Sequence, residues 1–182
     1  GTPNRLVASA IKALGKIDIL INSAGGSRPI PLDATIEQWH EGMLVNFFRT
    51  REITHAVLPG MIAQRWGRVV NLTGTSEPSG LSVSNTAKAA VHAWAKGLSR
   101  DVAKYGITVN SIQPGRIMSE QIRRLWPTEE SRREFSAREI PAGRFGEPEE
   151  LAPLAVFFAS ESARYITGTV IPVDGGMNRF AF

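Results

Sequence analysis

No cysteine occurs in the 182 residues, which excludes disulfides and thiolate metal sites and suits a reducing compartment. No apolar run reaches the roughly 20 residues that a bilayer-crossing helix needs, and the N-terminus has none of the long apolar stretch of a secretion signal. The expectation is a soluble, cytoplasmic protein with no membrane partner. Charge is not gathered in blocks either. The 21 Lys and Arg against 17 Asp and Glu leave a formal +4 scattered along the chain, so a nucleic-acid surface has little to build on. The three histidines, His40, His55 and His92, show no H-x-x-x-H or carboxylate spacing and read as helix-surface residues, so no metal site is expected. No G-x-S-x-G elbow occurs. What is present, 42% hydrophobic residues, suffices for one globular domain with a real core.

Apolar segments alternate between two periods. Asn4 to Gly15 reads as a short helix with Leu6, Val7, Ala10, Ile11 and Leu14 inward. IDILIN, Ile17 to Asn22, is apolar with almost no alternation, as in a parallel strand covered on both faces. The SAGG that follows is a turn whose glycines let backbone approach a ligand. Thr35 and Gln38 have capping-box spacing for a helix from Ile36 to about Leu58, with Pro59-Gly60 predicting a break before Met61 to Trp66. GRVVNLT and GITVNSIQPG are two further buried strands, and a last strand is expected at Thr169 to Val173. Strands alternating with helices predict a three-layer α/β fold, a Rossmann-type doubly wound parallel sheet. Residues 116–144, rich in arginine and glutamate around Trp126 and Phe135, read as one or two short amphipathic helices.

The organising stretch is Asn71 to Gly106: a strand end, a polar loop and a long helix with apolar residues at Ala87, Ala90, Val91, Trp94, Leu98 and Val102. Ser84 or Asn85 is the expected N-cap and Gly106 the stop. Ser84 and Lys88 are four apart, so a hydroxyl and an ammonium stack one turn above the other. A serine nucleophile activated by Lys88 would need an oxyanion hole, and no sequence signal for one is visible.

This stretch resembles the catalytic strand, loop and helix of the short-chain dehydrogenase/reductase family, whose signature is a serine at the strand end and Y-x-x-x-K on the helix. Lys88 matches the lysine, Ser84 occupies the tyrosine position and Gly74 the serine position, with Thr73, Thr75 and Ser76 beside it. Asn22, Ala24 and Gly25 match the family's N-N-A-G motif, with Ser23 in place of one asparagine. Asn46, in VNFFRT, matches its helix asparagine. Pro114-Gly115 matches the turn against the nicotinamide, and Ile117 and Ser119 the positions that hold its carboxamide. The longest match is Gly143 to Gly176.

The resemblance implies an NAD- or NADP-dependent oxidoreductase acting on a small carbonyl or alcohol, similar to the 3-oxoacyl carrier-protein reductase branch, with residues 116–144 as the substrate lid. In its terms Lys88 holds the nicotinamide ribose and lowers the proton donor's pKa, and Asn46 fixes a relay water. The family's first strands and glycine-rich diphosphate turn have no counterpart here, so the expectation is an incomplete Rossmann domain over residues 1–182, with IDILIN an exposed edge. Because serine is far less acidic than tyrosine and reaches less far, a non-catalytic ligand-binding or assembly subunit is the alternative. Surplus apolar residues on the two long helices, Phe48, Trp94 and Leu98 among them, predict a homodimer or homotetramer.

Overall fold

The computed structural model describes residues 2–75 and 77–180. Helix α1 (Thr2–Leu14) leads into strand β1 (Ile19–Asn22); α2 (Ile36–Met43), a π-helical stretch (Leu44–Phe48) and α3 (Arg49–Gln64) follow as one rod. Then come β2 (Gly67–Leu72), α4 (Val83–Val102) and β3 (Ile107–Pro114). Two short helices, α5 (Glu120–Leu125) and α6 (Glu129–Glu139), precede α7 (Pro148–Ala159) and β4 (Val170–Val173). The strands form one all-parallel sheet in the order β1-β2-β3-β4, each next to its predecessor in the chain.

Alternation along the central strands builds two cores. On β2, Val69 faces the cluster of Val57, Met61, Ala95 and Val102 from α3 and α4, while its neighbour Val70 faces Phe158 of α7 and Ala163 just after it. Both valines are fully buried, each contributing roughly 1.5–3 kcal/mol over exposure. This is the predicted three-layer arrangement, with β2 and β3 buried along nearly their whole length because helices cover both their faces. At the strands' N-terminal end the buried Arg68 is satisfied by the carbonyls of Gly67, Gly106 and Ser160 and by Glu161 at 3.1 Å. The C-terminal end is left for the site.

Four expectations need correction. Strand β1 is not covered on both faces: Leu20 packs into the α3/α4 core, but Ile19 and Ile21 are 43% and 48% exposed, because α7 lies over the other strands. Among the described residues β2 is its one neighbour. Helix α1 turns Val7 inward, but Leu6, Ile11 and Leu14 stand exposed because the helix packs mainly on α3 and a single stripe suffices for that contact. Pro59-Gly60 does not break the helix. α3 runs on to Gln64, ended by Arg65 in the left-handed region, because the buried Leu58 and Met61 hold the turn against the roughly 3 kcal/mol that an interior proline costs. The fourth concerns α4, whose N-cap is Ser82 rather than Ser84 or Asn85. The carbonyl of Arg28 accepts the first helical N–H, from Val83, so the serine hydroxyls are free for other partners.

The capping box at Thr35 and Gln38 forms as expected, and Gly106 stops the α4 segment at φ +73°. α5, α6 and the chain after them enclose a small core of Ile122, Ile140 and Phe145, in which Trp126, Phe135 and Phe145 meet edge-on or tilted at 4.9–5.7 Å.

Candidate active site

The C-terminal ends of β1, β2 and β3 open towards one region, where parallel α/β sheets place their ligands. The loop that leaves β1, residues 24–28, is held there by three side chains from distant parts of the chain. The Lys88 ammonium donates to the carbonyls of Ala24 at 3.3 Å and Leu72 at 3.1 Å. Asn46 accepts the Gly26 N–H at 2.9 Å. Ser84 accepts the Arg28 N–H at 3.3 Å.

Each anchor has a local cause. Asn46 is fully buried in the π-helical stretch, and its Nδ2 donates to Gly42 O at 3.0 Å, one turn back. That side-chain bond occupies a carbonyl that the helix would otherwise use, so the ladder slips to i→i+5, seen as Arg49 N–H to Leu44 O. Gly25 fits between the anchors. A Cβ there would lie 2.8 Å from Asn46 Oδ1 and 3.0 Å from Lys88 Nζ, and its φ of +157° is one that side chains rarely adopt. Oδ1 and Nζ therefore flank the same point. Lys88 is only 9% exposed, and burial holds its amine below the ordinary lysine range.

Ser84 does not share the space of Lys88 as the i,i+4 spacing suggested. Ser82 Oγ donates to Arg28 O at 3.0 Å, so the proton between the two hydroxyls, 2.8 Å apart, comes from Ser84. Arg28 N–H, Ser84, Ser82 and Arg28 C=O thus close a ring that satisfies one residue's backbone and commits the Ser84 proton. Asn22 is likewise turned into the frame, donating to Thr54 Oγ1 and to Asn71 Oδ1 at 3.0 and 2.9 Å, which ties β1 to α3 and β2.

His92 was expected on the helix surface. It is instead half-buried one turn beyond Lys88, with Nε2 2.7 Å from Thr73 Oγ1, and burial followed by the Lys88 charge keeps its pKa low. Thr73 donates to Ile112 O at 3.0 Å, which leaves the His92 proton on Nε2. Gly74 is open: a Cβ would meet nothing nearer than Lys88 Cγ at 3.8 Å. Ser76 lies outside the described residues.

On the far side, Gly115 donates its N–H to Val173 O at 2.9 Å, which seats the Pro114-Gly115 turn beside β4. Ile117 bridges to Gly146 through the carbonyl of Arg116 and the N–H of Met118, so the N–H of Ile117 points to the opposite side. Ser119 caps α5 by accepting from Ile122 N–H at 3.2 Å.

The family model described as enoyl-(acyl carrier protein) reductase matches residues 2–178. The chain belongs to the short-chain dehydrogenase/reductase family. Among its relatives in this family is the 3-oxoacyl-[acyl-carrier-protein] reductase FabG of Vibrio cholerae, 35% identical over 179 residues, 94% of this chain and 72% of that protein. The acetoacetyl-CoA reductase of Shinella zoogloeoides is 36% identical over 174 residues, 93% of this chain and 71% of the other. In structure the chain is similar to YwfH, an NADPH-dependent reductase involved in bacilysin biosynthesis, with a TM-score of 0.92 at 27% identity, covering 98% of this chain and 74% of that one. These relatives are named as reductases, and nothing in them favours a non-catalytic subunit.

A nicotinamide cofactor fits what this part of the family fold presents. The outward N–H of Ile117 suits a carboxamide, and the Pro114-Gly115 turn lies just before it at the end of β3. Among the described residues no cluster of three or more metal-ligating side chains occurs, and no helix is long and apolar enough to cross a membrane.

What sequence reasoning missed here is the anchoring set: Arg28 and Ser82, and the partner of His92. Two serines two positions apart at the start of a helix were the available signal, but their partner is 54 to 56 residues away.

Proposed function

We propose that the protein is an NAD(P)-dependent oxidoreductase that interconverts a carbonyl and an alcohol, on a small 3-oxoacyl-like substrate. The observation that carries this reading is the buried Lys88 amine, aimed beside Asn46 at the side-chain-free face of Gly25. When bound, the nicotinamide supplies or accepts the hydride. Lys88 holds the ribose hydroxyls, Ile117 and Ser119 hold the carboxamide, and Pro114-Gly115 backs the ring. NAD and NADP are both compatible with these groups.

The proton is handled differently from the family pattern. Ser84 is engaged with Ser82 and Arg28, and an aliphatic hydroxyl is a far weaker acid than a phenol. Lys88, made a stronger acid by burial, and a water held beside Asn46 take the donor's part. Gly74 leaves open space beside the Lys88 side chain where the family has a serine.

The test is NADPH oxidation with acetoacetyl-CoA and short 3-oxo compounds, with cofactor binding measured first. Lys88→Ala is expected to lower kcat by roughly 100- to 10,000-fold, the usual worth of positioned acid catalysis. A protein that binds neither NADH nor NADPH, or a Lys88→Ala variant with wild-type turnover, refutes the proposal.

A further inference from the structure

Residues 174–180, the segment that follows β4, cross the carboxyl ends of three strands in turn. Asp174 fixes the start of the crossing, its two carboxylate oxygens accepting the N–H groups of Gly176 and Asn178, each at 2.9 Å. Asn178 accepts in turn from Gln113 Nε2 at 3.1 Å, next to the Pro114-Gly115 turn that ends β3. Arg179 and Phe180 then reach the loop after β2, where the Glu77 carboxylate accepts both their backbone N–H groups at 2.9–3.0 Å. That loop begins beside Gly74, whose open face borders Lys88. The crossing thus lies at the end of the sheet where parallel α/β folds take their ligands.

The same segment is bound into the lid helices. Met177 packs against the small core of Ile122, Ile140 and Phe145, Gly175 O accepts the Ala142 N–H at 3.0 Å, and the Arg179 guanidinium donates to Glu139, the last residue of α6, at 3.2 Å. Opposite this unit stands the loop 74–82. Among the described residues, the bonds to Glu77 are the only hydrogen bonds from that loop to any residue beyond α4. Thr75 aims the carboxylate, its hydroxyl accepting the Glu77 N–H at 3.0 Å. The N–H groups of Phe180 and Arg179 hold the Glu77 pKa below the ordinary carboxylate range, so it is ionised at neutral pH. Such bonds are stronger than neutral ones, yet at the surface water competes for both partners, which suits a contact that is made and broken.

We infer that residues 177–180 are a strap closed over the ends of β2 and β3, latched by Glu77, and that release of the latch opens the strap together with α5 and α6 to admit substrate. What the opening admits rests on the reductase reading. The latch itself stands on the hydrogen bonds alone. Because Met177 and Arg179 tie the strap to the lid core and to α6, freeing it from Glu77 loosens helices that Glu77 does not touch.

The experiment compares amide hydrogen exchange in wild type and Glu77→Ala, with steady-state reduction of acetoacetyl-CoA by NADPH as the second measurement. In Glu77→Ala the amides of α5 and α6 are expected to exchange roughly 3- to 10-fold faster, with those of β2 and β3 unchanged. Faster exchange confined to the loop and the strap, or spread evenly over the central strands, overturns the inference. In the active enzyme kcat and KM are expected to change together, as they do when a lid is altered. A variant whose lid helices exchange faster while both constants stay at wild type overturns the gating step. If wild type reduces nothing, the exchange result still decides the latch, and the inactivity counts against the reductase reading alone.

Discussion

Replacing Gly25 with alanine tests the core of the site with a single methyl group. The new Cβ would sit 2.8 Å from Asn46 Oδ1, 3.0 Å from Lys88 Nζ and 3.2 Å from Lys88 Cε. Asn46 is fully buried in the π-helical stretch and cannot retreat, so the loop or the lysine must move. Backbone strain at a φ of +157° costs of order 1–3 kcal/mol for a residue with a side chain. Pushing the loop away also breaks the Gly26 N–H to Asn46 bond, leaving partly buried polar groups unpaired at roughly 1–3 kcal/mol. The sum, about 2–6 kcal/mol, is a large part of a typical stability of roughly 5–15 kcal/mol. In urea it should lower the unfolding midpoint by roughly 1–2 M. Reductase activity should fall further than stability requires, because the lysine is displaced even in the folded fraction. Gly26→Ala is the matched control, since its Cβ meets only the flexible end of Arg28, at 3.1 Å. A Gly25→Ala protein with the midpoint and turnover of Gly26→Ala would refute the geometry on which the proposed mechanism stands.

Ser84→Ala should cost about 1–3 kcal/mol, because it removes both hydrogen bonds of Ser84 in the ring and leaves the Arg28 N–H unpaired, and leave kcat within a few-fold of wild type; a loss of roughly 100-fold or more would show that Ser84 is the proton donor. Conversely, Ser84→Tyr combined with Gly74→Ser, for which there is room beside Lys88, should raise carbonyl reduction, and Lys88→Ala should abolish the gain. A repaired enzyme that binds NADPH but reduces no faster rules out proton donation as the limiting step. Burial also sets a pH signature. The Lys88 pKa is lower folded than unfolded, so between the folded value and about 10.4 the unfolded chain binds more protons and stability rises with pH. The Tm of wild type minus that of Lys88→Met should therefore grow more positive from pH 7 to 10; a flat difference would mean that Lys88 titrates as if exposed.

Much of this protein is written locally. Strand-length segments at Ile17, Gly67, Ile107 and Thr169, separated by helix-length segments, imply a parallel sheet, because parallel neighbours need a crossover of that length between them. The capping box at Thr35 and Gln38 and the stop at Gly106 are satisfied by residues within a few positions, so sequence alone places those boundaries. Lys88 too was legible, since four residues of helix put it one turn from Ser84 whatever surrounds them. What those side chains do there was not. Ser84 turns to a backbone 56 residues away, Asn46 opens its helix while holding a loop 20 residues back, and His92 finds Thr73 across a helix and a strand. The unbroken helix through Pro59 and the uncovered Ile19 and Ile21 belong with them. A hydrogen bond or a buried face needs a partner at a given distance, and the distance between segments far apart in the chain is fixed only when the sheet brings them together.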